Sequence, residues 1–177
     1  MSLKDRTILI TGAAGGLGSA LAKTCAKLGA ELILLDKNRR GLIQLSDRMT
    51  AAGLDAPGLY PLDLAGVGPD EIHDLFQVIE TEYGGLDALI HCALDFDSLQ
   101  PFEQIKPQDW LKSMQVNVNA PWLLSSMVLP LLKRSPNAHL MFMLDDLEKV
   151  TGAFWGAYGT AKSALSGDRK STRLNSC

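Results

Sequence analysis

The sequence predicts one doubly wound α/β domain on a parallel sheet, incomplete after its fifth strand. Three observations carry this. Short β-rich runs alternate with stretches of helical periodicity, several of those runs are apolar at consecutive positions, and the first run breaks into a glycine turn that opens a helix. A strand covered by helices on both faces must be apolar throughout, which separates a parallel sheet from the alternating pattern of a half-exposed one.

The elements follow in order. Residues 7–11 (TILIT) predict the first strand, and Leu17, Ala20, Leu21, Cys25 and Leu28 recur at helical spacing after the turn at 12–18. Gly29 stops that helix, and residues 31–36 (ELILLD) read as a strand buried on both faces. Leu42, Leu45, Met49 and Ala52 mark a second helix. Residues 59–63 (LYPLD) predict a third strand, placed at a sheet edge because Pro61 has no N–H for a ladder. Ile72, Leu75, Phe76 and Ile79 predict a third helix ending at Gly84 and Gly85, and residues 86–92 (LDALIHC) a fourth strand. A loop to Lys106 leads into a long helical pattern over 107–133, with a break expected at Pro121. Residues 138–144 (AHLMFML) predict the fifth strand, and a last helix begins near Ala153. Residues 1–167 thus form the domain. The stretch 168–177 (DRKSTRLNSC) loses the apolar periodicity, looks like translated sequencing adapter, and is expected to be a non-native tail.

Composition narrows the function. The 177 residues carry 17 Lys and Arg against 20 Asp and Glu, a net charge of −3, which offers no grip on nucleic acid or an anionic membrane. The most apolar stretch, 120–132, is interrupted by Ser125, Ser126 and Pro130 and falls short of the roughly 20 residues of a membrane span. Residues 1–6 are short and polar, so a cytoplasmic location is expected. Cys25, Cys92 and Cys177 with His73, His91 and His139 make no metal-ligand spacing, and no metal is expected.

The chemistry gathers at two places. Gly12, Gly16 and Gly18 lie between a strand and a helix, where bare N–H groups and the helix dipole favour a pyrophosphate and a Cβ would obstruct it. A tight turn without ligand is the alternative. Asp36 ends the second strand 20 residues after Gly16, the separation of a carboxylate that bonds an adenosine ribose. NAD is favoured over NADP because Asp36 would repel a 2′-phosphate, although Lys37, Arg39 and Arg40 oppose that repulsion. Tyr158 and Lys162 are four apart on a helix and share a face. At about 5 Å and an effective dielectric near 20, the ammonium favours the phenolate by roughly 3 kcal/mol, or about two pKa units, toward general acid/base range. Asn117 has Pro121 four residues on, so the N–H that would close on its carbonyl is missing.

Together TGAAGGLG at 11–18 (opening on Thr11), Asp36, Asp63 with Leu64, Asn117 and YGTAK at 158–162 resemble the classical short-chain dehydrogenase/reductase family. The resemblance implies hydride transfer between a nicotinamide, NAD or less readily NADP, and a small carbonyl or alcohol substrate. It implies Tyr158 as general acid/base, Lys162 as its activator, and Asn117 as holder of a water in a proton relay. It also implies cofactor contacts from Thr11, Gly12, Gly16, Leu17, Gly18, Asp36, Asp63 beside adenine, Leu64, Cys92 and Ala93, and a homodimer or homotetramer. Two positions depart from the family pattern. The serine about thirteen residues before the tyrosine is replaced by Asp145, which accepts where a hydroxyl would donate and opposes Lys162 unless burial keeps it protonated. The Asn-Ala-Gly after the fourth strand is Cys92, Ala93 and Leu94, which puts a branched side chain at a crowded point. Both departures favour an alternative reading, a dinucleotide-binding protein with impaired catalysis or a nonfunctional fragment.

Overall fold

A computed structural model describes residues 2–171. Five strands, β1 (Thr7–Thr11), β2 (Glu31–Asp36), β3 (Gly58–Pro61), β4 (Ala88–His91) and β5 (His139–Phe142), form one parallel sheet in the order β3-β2-β1-β4-β5. Pro61 stands opposite Asp36 in the edge strand β3, where its missing N–H costs no ladder bond. The other edge is β5.

Alternate residues of the central strands feed two separate cores. Ile8, Ile10, Leu32 and Leu34 face α1 (Gly16–Lys27) and α2 (Arg39–Ala51), packing with Ala22, Leu42, Leu45 and Met49. Leu9, Ile33, Leu35 and Leu89 face α3 (Pro69–Tyr83) and α5 (Ala120–Arg134), packing with Ile72, Leu75, Ile79, Leu124 and Val128. The consecutive apolar positions of 31–36 therefore serve both layers, as a doubly wound sheet requires. The chain order reverses between β1 and β4, so a crevice opens beyond their carboxyl ends, where such folds hold ligands.

Two local features differ from the sequence reading. The break expected at Pro121 is absent: α4 (Pro107–Met114) passes through a π turn at Gln115–Asn119 into α5. The helix absorbs the missing Pro121 donor by widening to longer-range bonds, and Ala120 N–H reaches the Gln115 carbonyl. A short helix α6 (Leu147–Val150), capped by the Asp146 carboxylate on Glu148 N–H, precedes α7 (Gly156–Ser171). Helix α7 runs into the first residues of the expected tail, and 172–177 lie outside the described residues.

Candidate active site

The crevice is a cleft of about 510 Å³ lined along one wall by the turn from Gly12 to Gly18. Gly12 has φ +63°, and a Cβ there would lie 2.6 Å from the backbone of Ala93, so the turn can pass under the end of β4 only as glycine. At Gly18 a Cβ would collide with the Gly12 carbonyl. Gly16 is different: a Cβ there meets nothing within 4 Å and would project into open space. The N-cap of α1 is Gly15, and no side chain caps the helix, so its first-turn N–H groups have no side-chain partner beside the cleft. Space without a Cβ and uncapped donors fit a dinucleotide pyrophosphate.

Leu17, Asp36, Asp63, Leu64, Cys92 and Ala93 line the same cleft, with Leu94 and Lys162. Thr11 does not. It is fully buried, and its hydroxyl accepts the Ala93 N–H at 3.2 Å, tying the end of β1 to the end of β4. Leu94 is 55% exposed, so its side chain stands out of the crowded point it was expected to fill. Burial pushes the Cys92 thiol up to about 11, which leaves it an uncharged wall of the cleft.

Tyr158 and Lys162 meet on α7 as their spacing predicts, with the ammonium 5.3 Å from the phenol ring centre. The electrostatic consequence is the reverse of the one expected. Burial, then a hydrogen bond to Asp145 and the charge of that carboxylate, push the Tyr158 phenol above its ordinary value. Tyr158 donates to Asp145 Oδ2 at 2.6 Å, and Lys162 Nζ stands 3.7 Å from the same oxygen while donating to the Met143 carbonyl at 2.9 Å. Burial pulls the Lys162 ammonium below its usual value, with Asp145 acting against that trend. The side chain of Asp145 is 43% exposed, unlike its buried partners Tyr158 and Lys162.

Asn117 lies in the π turn, against which α7 packs. Its side-chain amide is committed to the loop after β4: Oδ1 accepts Asp95 N–H at 2.9 Å, and Nδ2 donates to the Asp95 carbonyl at 2.8 Å and to Ser113 Oγ at 3.1 Å. Below it, Ser125 Oγ donates to the Pro121 carbonyl at 2.7 Å and lies 2.9 Å from His91 Nε2, so the buried imidazole is the donor in that pair. Burial holds His91 neutral down to about 3.

Several contributors were not read from the sequence. A cavity of about 120 Å³ beside Tyr158 is walled by Phe96, Trp155, Asp95, Asp97, Asp109 and Lys112. The loop residues among them carry no periodicity, and only the chain reversal after β4 brings them to α7. The Met143 carbonyl that anchors Lys162 is likewise a backbone atom that no motif marks.

Residues 6–175 match the family model described as short chain dehydrogenase. The uncharacterized oxidoreductase YciK of Escherichia coli K12 is 36% identical, over 93% of this chain and 66% of its own length. A short chain dehydrogenase/reductase, dpfgG, of Gibberella zeae is 31% identical, over 97% of this chain and 64% of its own. The chain therefore spans just under two thirds of the length of these relatives. Among solved structures, a candidate short chain dehydrogenase of Pseudomonas syringae superposes with TM-score 0.92 at 38% identity, covering 96% of this chain and 70% of that one. Two more, from Shigella flexneri complexed with NADP and from Escherichia coli CFT073 complexed with NADPH, each give TM-score 0.88 at 36% identity, covering 93% of this chain and 69% of theirs.

These complexes overturn the preference for NAD that was read from Asp36. The structure supplies the physical reason. Asp36 Oδ2 accepts Ala14 N–H at 3.0 Å and Oδ1 accepts Asn38 N–H at 2.9 Å, so the carboxylate is engaged in holding the glycine turn and the approach to α2. Lys37, Arg39 and Arg40 follow it as exposed cations, and among the described residues none is in an ion pair.

Proposed function

The chain belongs to the short-chain dehydrogenase family, and on that premise we propose an NADP-dependent oxidoreductase acting on a small carbonyl or alcohol substrate. The observation that carries the reading is the pairing of buried Tyr158 and Lys162, with Lys162 on the wall of the glycine-lined cleft and Tyr158 on the wall of the cavity beside it. Gly12, Gly16, Leu17 and Gly18 would hold the pyrophosphate. Asp63 and Leu64 would border adenine, and Cys92 and Ala93 the nicotinamide ribose. Lys37, Arg39 and Arg40 would meet a 2′-phosphate. The bound nicotinamide would supply or accept hydride.

The chain's own groups handle the proton. Tyr158 is the general acid/base, and its O–H must turn from Asp145 toward a substrate oxygen, giving up a short charge-assisted bond. Lys162 is held by Met143 beneath the ring and stabilises the phenolate when the proton leaves. Asn117 fixes the Asp95 loop beside the site through its side-chain amide, and its main-chain carbonyl, on which Pro121 cannot close, would hold a relay water. A cytoplasmic location belongs to the same reading, as does a homodimer or homotetramer. Exposed Leu111 and Trp122 on α4 and α5 favour self-association, and light scattering that shows monomer alone rejects it.

The test uses the full-length protein, a ketone and quinone panel, and NADPH fluorescence. Tyr158→Phe should lower turnover by about 10²- to 10⁴-fold while NADPH binding persists. Equal turnover in both proteins overturns the reading. The Tyr158–Asp145 bond favours one second reading, a dinucleotide-binding protein without turnover, and binding with no hydride transfer to any substrate would establish it.

A further inference from the structure

We propose that Asp145 makes this site select a cationic nitrogen centre, so that it reduces protonated imines, and in reverse oxidises amines, in preference to ketones and alcohols. The inference rests on the hydride-transfer reading above and names its substrate class.

Hydride addition to a ketone builds negative charge on oxygen, and a site made for it presents donors there. Here the group beside the Tyr158 hydroxyl is a carboxylate oxygen 2.6 Å away. Lys162, 4% exposed, donates to Met143 and stands 3.7 Å from the same Asp145 oxygen, so its charge is shared with that carboxylate rather than offered to a substrate oxygen. A growing alkoxide would meet Asp145 as a like charge, whereas an iminium N–H would find an acceptor of opposite charge.

The adjoining cavity carries the same preference. Asp97 and Asp109 stand on its wall, and its one cation, Lys112, is tied to Asp95 at 2.6 Å. Phe96, Trp155 and Tyr158 gather beside it, with ring centres 5.0 Å apart for Phe96 and Tyr158 and 5.7 Å for Phe96 and Trp155. Aromatic faces beside carboxylates are a recognition surface for a cation.

The step balances without an added proton. The iminium carbon accepts hydride from the reduced nicotinamide, the C=N π pair becomes the nitrogen lone pair, and a neutral amine leaves with the nicotinamide oxidised. No oxyanion forms, so Asp145 never opposes the chemistry.

The experiment compares a cyclic imine, 2-methyl-1-pyrroline, at a pH where it is protonated, with 2-methylcyclopentanone, using full-length protein and NADPH. A second readout is calorimetric binding of 2-methylpyrrolidine against 2-methylcyclopentanol to the NADP-loaded protein. The wild type should favour the imine in kcat/KM, and the amine in affinity, by about tenfold or more, the scale of one charge contact at a partly solvated site. Asp145→Ser and the near-isosteric Asp145→Asn should both erase that preference while still binding NADPH. A wild type that prefers the ketone, or a preference unchanged in both variants, overturns the inference and leaves the dehydrogenase reading standing. Ketone reduction that appears only in Asp145→Ser, with no imine turnover in the wild type, also overturns it and marks the site as impaired. Failure of the wild type to bind NADPH removes the dehydrogenase reading and the inference together.

Discussion

The two ends of the candidate site are built from different materials. At the carboxyl end of β1 the ligand wall is backbone: Gly12 passing under Ala93, an uncapped helix start, and an open position at Gly16. At the start of α7 the surface is side chains, and there burial, seconded by Asp145, pushes the Tyr158 phenol above its ordinary value. A backbone wall tolerates change in what surrounds it because its donors are common to all residues. A side-chain wall changes its chemistry with a single substitution. The first end is therefore fixed by backbone geometry, while the second depends on which side chain stands at 145.

That contrast can be broken most severely at Gly12. Gly12→Val puts a branched side chain at φ +63° and a Cβ 2.6 Å from Ala93. The strain should cost about 3 kcal/mol or more and abolish NADPH binding. Denaturant unfolding with fluorescence titration checks both, and a variant that folds and binds like the wild type would show that the backbone wall is not specific.

His91 tests the side-chain end from beneath. It stays neutral in the folded protein down to about 3 from an ordinary 6.5. Between those values the unfolded chain binds a proton that the folded one refuses, so stability is present above 6.5 and falls as pH drops toward 3. The loss by pH 4 should be about 3 kcal/mol. His91→Gln, which keeps a donor for Ser125, should lack that part of the acid limb, and parallel curves for the two proteins would refute the assignment.

The smallest effect sharpens the cofactor end. Arg39→Ala and Arg40→Ala should weaken NADPH binding by about tenfold at most, with NADH binding unchanged, since exposed cations are screened by salt. Equal losses for both dinucleotides would remove these residues from 2′-phosphate recognition.

What the sequence made legible was local. Strand runs, helix spacing and the glycine turn each express a backbone requirement within a few residues, and Pro61 alone was enough to send β3 to an edge. What it hid depended on contacts across the fold. The spacing of Tyr158 and Lys162 correctly predicts a shared face, yet the phenol shifts upward because burial and Asp145 outweigh the ammonium, and neither weight is visible along a helix. Asp36 was read as the carboxylate that bonds an adenosine ribose, whereas both its oxygens also accept N–H groups of the turn and the loop. The π turn had a signal in Pro121, but the missing donor alone does not say whether a helix breaks or widens.

The strand order has a consequence for how the chain comes off the ribosome. Ile8 of β1 lies beside Ala88 of β4, and Thr7 bonds to Asp87, 80 residues later. At about 5–20 residues per second, that partner emerges roughly 4 to 16 s after β1. Over that interval β1 can pair only with β2, and its other edge waits, apolar and unmatched. The centre of the finished sheet thus stays open while β2 and β3 join on the other side, and it is the first place where a nascent chain would meet the wrong neighbour.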